Sequence, residues 1–201
     1  MHADALPDLP LWACQDCGRS CAPDVQLHDG VYYMYFLTYL AGVHKRNCIG
    51  VATSRTATGP YEPRGDKPIV CDGALTGTAM DPRSFDHEDG SIWLYYGSHH
   101  DPIMAGRLAP SRLTLMGPPV PVLQPDNSSY GSVTEGPWVY KDAAGELTMF
   151  YSGSQCCGPR LANLRNAGAG AAFRDQGGGL ALPVRGSQFL PTVELSKVRR
   201  S

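Results

Sequence analysis

Thr78-Ala79-Met80-Asp81-Pro82-Arg83-Ser84-Phe85-Asp86-His87-Glu88-Asp89-Gly90-Ser91-Ile92-Trp93-Leu94-Tyr95-Tyr96-Gly97-Ser98 is the stretch from which the fold is read. An acid stands beside a proline at Asp81-Pro82, a polar turn runs from Asp86 to Gly90, and an apolar run follows from Ile92 to Tyr96. Proline fixes its own φ and steers the preceding residue toward an extended conformation, so Asp81 is expected at a strand entrance and not within a helix. Asp89-Gly90 supplies a tight turn, and the aromatic run after it reads as a buried strand. The unit is a hairpin that aims one carboxylate at a shared centre.

The pattern recurs on either side. Ala22-Pro23-Asp24-Val25 precedes His28-Asp29-Gly30 and the run Val31 to Phe36. Glu135-Gly136-Pro137-Trp138-Val139 precedes Ala144-Gly145 and the run Leu147 to Ser152. The turn glycines stand at 30, 90 and 145, a near-constant spacing. Self-similarity at a fixed period signals a repeat architecture, and its all-β form is a ring of four-stranded blades. A β-sandwich with three similar hairpins ranks second, because it has no need of an acid and a proline at the head of a hairpin. The expected fold class is therefore all-β, a β-propeller.

Bulk properties agree. The 201 residues include 23 Gly and 17 Pro, which suits a turn-rich all-β chain. A net charge of −2 gives no reason to expect nucleic acid or an anionic membrane as a partner. No apolar run has transmembrane length, and residues 1–11 lack the apolar core of a signal peptide. Seven cysteines, an odd count in a chain this long, do not make a small disulfide scaffold. Cys14, Cys17 and Cys21 have zinc-like spacing, but only His28 lies near enough to add a ligand, so a cysteine-rich loop is favoured over a metal site. Disulfides would follow from secretion. Three segments result: an unstructured lead-in over 1–11, a propeller domain over 12–158, and a tail over 159–201. The tail has no Trp or Tyr and carries a Gly177-Gly178-Gly179 run, so it is expected to be disordered.

Several of these motifs together resemble family 43 glycoside hydrolases. Trp12-Ala13 with Ala22-Pro23-Asp24-Val25, and Ile49-Gly50-Val51-Ala52-Thr53-Ser54 with Gly59-Pro60-Tyr61, look like that family's second blade. Met80-Asp81-Pro82, Asp89-Gly90 and Leu94 to Ser98 resemble its third, and Glu135-Gly136-Pro137 with Cys156-Cys157-Gly158 its fourth. Gly97-Ser98 and the vicinal cysteines are most similar to the endo-arabinanase branch. The resemblance implies a five-bladed propeller, about three blades of it present, with three acids in a central funnel. It implies Glu135 as general acid and Asp81 as the aspartate that orients the acid and tunes its pKa. The third acid, a general base, belongs to an Asp-Pro of the first blade that this chain does not contain, and Ala22 offers no replacement. No cofactor is implied for the chemistry. A central calcium ion is implied for many relatives, held partly by a fifth-blade histidine that is absent here.

The chemistry explains the residue types. Inversion at a sugar needs one protonated carboxyl to release the departing oxygen and one carboxylate, roughly 6.5–9.5 Å away, to activate water. A neighbouring Asp81 anion and partial burial would both keep Glu135 protonated near neutral pH. Further candidates for substrate contact are Asp24, Ser98, His99 and Trp12, while Trp138, inside a repeat, is expected in the core. The partner expected from the resemblance is an oligo- or polysaccharide, arabinan or arabinoxylan, met outside the cell. A β-xylosidase or α-arabinofuranosidase is the alternative within the family. A propeller that binds carbohydrate without catalysis, or an unstable truncated product, are the alternatives outside it.

Overall fold

The computed structural model describes residues 4–18, 20–43, 46–71, 78–98, 101–124, 134–142, 145, 147–152, 171–173 and 182–184. Three four-stranded antiparallel sheets follow one another along the chain as blades of a propeller. The first contains β1 (Ser20–His28), β2 (Val31–Tyr39), β3 (Asn47–Ser54) and β4 (Glu62–Arg64), in that order across the sheet. The second contains β5 (Met80–Asp86), β6 (Ile92–Gly97), β7 (Ile103–Leu108) and β8 (Val120–Leu123). The third contains β9 (Glu135–Lys141), β10 (Leu147–Ser152), β11 (Ala171–Phe173) and β12 (Leu182–Val184). No helix among the described residues is long and apolar enough to cross a membrane.

Each sheet pairs sequence neighbours, so every connection is a hairpin and each blade assembles locally. The first strands of the blades sit side by side, β1 against β5 and β5 against β9, and line the axis of the arc. β3 is buried along its whole length, as expected of a strand covered on both faces. β8 carries Pro121 on the sheet edge, where the missing amide donor does no harm.

The blades are joined by apolar cores. Tyr35, Ile49, Val51 and Val70 of the first pack against Ala79, Leu94, Tyr96, Met104 and Leu108 of the second. Tyr95, Ile103, Ala105 and Leu123 of the second pack against Val139 and Met149 of the third. Far from the strand entrances, the buried Arg112 ties two blades together. Its guanidinium pairs with the Asp86 carboxylate, lies 3.0 Å from His28 Nδ1, and its backbone carbonyl accepts the Tyr35 hydroxyl at 3.0 Å.

Two expectations are corrected. Part of the 1–11 lead-in is packed: Ala5, Leu6 and Leu9 rest on Met34, Phe36 and Tyr61, and the Ala5 carbonyl accepts the Tyr61 amide at 2.8 Å. Apolar side chains on the open face of the first sheet account for this. Residues 159–201, expected to be a disordered tail, lie outside the described residues except for β11 and β12. Trp138, expected in the core, is 53% exposed, because β9 turns Pro137 and Val139 inward and Trp138 outward in the alternation of a strand. The cysteine cluster resolves into a Cys14–Cys17 disulfide with Cys21 free, and a second bridge joins Cys48 to Cys71.

Candidate active site

The inner strands begin with a shared backbone device. Ala22, Asp81 and Gly136 each precede a proline and adopt φ of +50°, +52° and +60°. Each marks a β-bulge, where the register slips between Cys21 and Asp24, between Met80 and Arg83, and between Glu135 and Trp138. Asp81 is therefore not extended, against the expectation from its proline. The bulge requires one left-handed residue, and aspartate tolerates that region better than most side chains. The conformation also aligns the side chain with a neighbouring blade.

That alignment is visible in one contact. Asp81 Oδ2 accepts the backbone N–H of Gly136 at 3.0 Å, across 55 positions of sequence. Glu135, the first residue of β9, thus has its following peptide anchored by Asp81. The approach is permitted by Gly97 at the end of β6: a Cβ there would lie 2.6 Å from Glu135 Cα and 2.6 Å from the Thr134 carbonyl oxygen. The Ser98 amide donates to that same Thr134 carbonyl at 2.9 Å.

Burial raises the Glu135 pKa above its ordinary value, and the Asp81 charge adds to the effect. A half-buried carboxyl loses hydration of its anion, and a neighbouring anion disfavours a second one. The arrangement therefore holds a proton on Glu135 at a pH where a free glutamate would have released it.

The other candidates take different places. Ser98 is 2% exposed and sits behind the pair, donating to Asp101 Oδ2 at 3.1 Å and lying 2.9 Å from Thr78 Oγ1. It supports the loop and does not face a ligand. Asp24 is engaged at both oxygens, by Arg83 Nη1 at 2.7 Å and by the Ser84 amide and hydroxyl at 2.8 and 2.7 Å. Its carboxylate closes a seam between blades and has no oxygen left over for a sugar hydroxyl. Trp12 is half-buried, with one edge of its ring close over Gly50. His99 lies outside the described residues, as do the vicinal Cys156 and Cys157.

Sequence reasoning passed over Asp101, Thr134 and Arg83. Asp101 is wholly buried, and its backbone carbonyl accepts the Thr134 hydroxyl at 2.6 Å, tying the loop after β6 to the residue before Glu135. The Asp101-Pro102 pair was a signal for it, since it repeats the acid-proline dipeptide of Asp81-Pro82. Among the described residues no group of three or more His, Cys, Asp or Glu is placed to hold a metal ion.

The chain has relatives among known proteins. It is 32% identical over 111 residues to the extracellular endo-alpha-(1->5)-L-arabinanase 2 of Bacillus subtilis, covering 48% of this chain and 22% of that protein. It is 29% identical over 146 residues to a probable arabinan endo-1,5-alpha-L-arabinosidase A of Emericella nidulans, covering 68% of this chain and 42% of that one. Among solved structures it is similar to an endo-arabinase from Bacteroides thetaiotaomicron, with 27% identity and a TM-score of 0.56 over 70% of this chain and 52% of that one. An exo-1,5-alpha-L-arabinanase from a bovine ruminal metagenomic library gives 26% identity and a TM-score of 0.63, covering 76% and 53%. The chain thus spans less than two thirds of each of these relatives. With the family model for glycosyl hydrolases family 43 matched over residues 2–170, on blades whose inner strands present Asp81 beside Glu135, the chain belongs to that family.

Proposed function

We propose that this chain carries the acid half of a glycoside hydrolase site for arabinan or arabinoxylan. Glu135 is the general acid that protonates the departing glycosidic oxygen. Asp81 keeps the Glu135 proton in place by its charge and fixes the peptide that follows Glu135. The contact of Asp81 Oδ2 with the Gly136 amide is the observation that carries this reading. The names of the relatives support the substrate class, since they specify α-1,5-linked arabinan. Two disulfides, with relatives named extracellular, support a place outside the cell.

Turnover by the 201-residue chain alone is slow in this proposal. Ala22 occupies the bulge position that Asp81 holds in the next blade, so it offers no carboxylate to activate water. The test is incubation with an aryl α-L-arabinofuranoside, with and without azide. Azide is a nucleophile that needs no base, so it should form the glycosyl azide of inverted configuration and release the phenol. Glu135→Gln should lower that rate by about 10²–10⁴, the usual worth of a positioned acid. No azide adduct from the wild-type chain, or a Glu135→Gln variant as fast as wild type, would defeat the proposal. Binding of arabinan without either product would favour a carbohydrate-binding role instead.

A further inference from the structure

Three residues at one register position of three successive blades touch in series. Each lies two places past the left-handed residue of its bulge: Asp24 after Ala22, Arg83 after Asp81, and Trp138 after Gly136. Arg83 Nη1 donates to Asp24 Oδ1 at 2.7 Å, and Asp24 is only 7% exposed. On its other side Arg83 Cζ lies 3.7 Å from the centroid of the Trp138 ring. The Arg83 Nε is buried and has no hydrogen-bond partner, so the carboxylate and the ring hold the guanidinium between them. A planar guanidinium can be paired at its edge and stacked on its face at once, which an ammonium cannot do equally well.

The strands these residues join share no backbone-to-backbone ladder; side chains carry the contacts between them. β1, β5 and β9 belong to three separate sheets, so no ladder sets the distance between them. Arg83 stands two residues past Asp81 on β5, and Trp138 three past Glu135 on β9. At the rise of a strand, the stack lies roughly 7–10 Å along from the two acids. An exposed tryptophan here is explained by its contact with Arg83 and not by burial.

We infer that Arg83 is a positioning residue: anchored on Asp24 and stacked against Trp138, it sets the spacing of β5 and β9 and so keeps Asp81 against the Glu135 peptide. This rests on the reading of Glu135 as an acid maintained by Asp81, and it adds the element that holds the two together. The inference has a sign that simple electrostatics does not share. Deleting a nearby positive charge would by itself make the Glu135 anion less favourable and raise its protonation midpoint. Releasing β9 from β5 weakens repulsion from Asp81 and admits water, which lowers the midpoint.

The experiment is an NMR titration of the Glu135 side-chain carboxyl in the full chain, comparing wild type with Arg83→Met, Arg83→Lys, Trp138→Ala and Asp81→Asn. Asp81→Asn sets the scale by removing the charge. Arg83→Met should lower the midpoint by at least half of the shift seen in Asp81→Asn. Trp138→Ala, which changes no charge at a half-exposed position, should lower it similarly, and Arg83→Lys should lower it less. A midpoint in Arg83→Met and Trp138→Ala that is unmoved or raised, while Asp81→Asn still lowers it, overturns the positioning role alone. A midpoint indifferent to Asp81→Asn overturns the acid-pair reading and this inference with it. Trp138→Ala keeps the test decisive if Arg83→Met does not fold.

Discussion

Substituting Gly97 by alanine tests the geometry on which the candidate site stands. Gly97 does not have a positive φ, so an alanine meets no strain from its own backbone. The obstacle is its neighbour: the new Cβ would sit 2.6 Å from both Glu135 Cα and the Thr134 carbonyl oxygen, and 3.3 Å from the Thr134 carbonyl carbon. These are backbone atoms and cannot rotate aside. Carbon atoms settle at about 3.5–4.0 Å, so the end of β6 and the start of β9 must part by about 1 Å. Overpacking of this kind costs about 1–3 kcal/mol. The parting also stretches the Ser98 to Thr134 bond, now 2.9 Å, and the Asp81 to Gly136 bond, now 3.0 Å. A neutral bond and a solvent-facing charged bond together add roughly 1–2 kcal/mol. Gly97→Ala should therefore lose about 2–5 kcal/mol in urea unfolding, read as a fall in the midpoint with an unchanged slope. In the same variant the Glu135 carboxyl should titrate closer to an ordinary glutamate, since Asp81 no longer reaches its peptide. A variant within ~0.5 kcal/mol of wild type, the usual range for an inconsequential surface change, with an unmoved Glu135 midpoint would refute the close approach of β6 and β9.

Other outcomes follow from the same contacts. The folded chain binds the Glu135 proton more tightly than the unfolded chain, so this group favours folding at acid pH and opposes it as pH rises through the raised value. Glu135→Gln should match wild type in stability near pH 4 and exceed it near pH 7, compared by urea midpoints; variants of equal stability at both would refute the shift. His87 has the opposite sign. Burial is the main cause of its lowered pKa, so its contribution is present above about pH 6.5 and is lost as pH falls toward the lowered value. A histidine C2-proton titration midpoint at or above the free value would contradict this. The Cys48–Cys71 bridge closes a loop with a sequence separation of 23 and so should be worth about 3 kcal/mol by loop entropy. Paired Cys48→Ala and Cys71→Ala substitutions should lower the urea midpoint accordingly, whereas Cys21→Ala, at a free and half-buried thiol, should change it little.

What the sequence determined by itself is everything that neighbours in the chain decide. Asp89-Gly90 makes a turn, Ile92 to Gly97 makes the strand after it, and three such hairpins at near-constant spacing make blades. These are local consequences of dihedral preference and apolar pattern. The pairing of Asp81 with Glu135 was also legible, although the two are far apart, because a repeat converts equal places in a motif into equal places around an axis. Tertiary structure decided what passes between blades. Asp24 is a strand-start acid in the sequence, and only the arrival of Arg83 and Ser84 from the next sheet engages both of its oxygens. Trp138 reads as core until the alternation of β9 turns it outward onto Arg83. Asp81 reads as extended until the bulge and the Gly136 amide hold it left-handed. The reason is common to all three: a side chain's partners across a blade seam are set by the spacing and rotation of whole sheets, a quantity that no window of sequence contains.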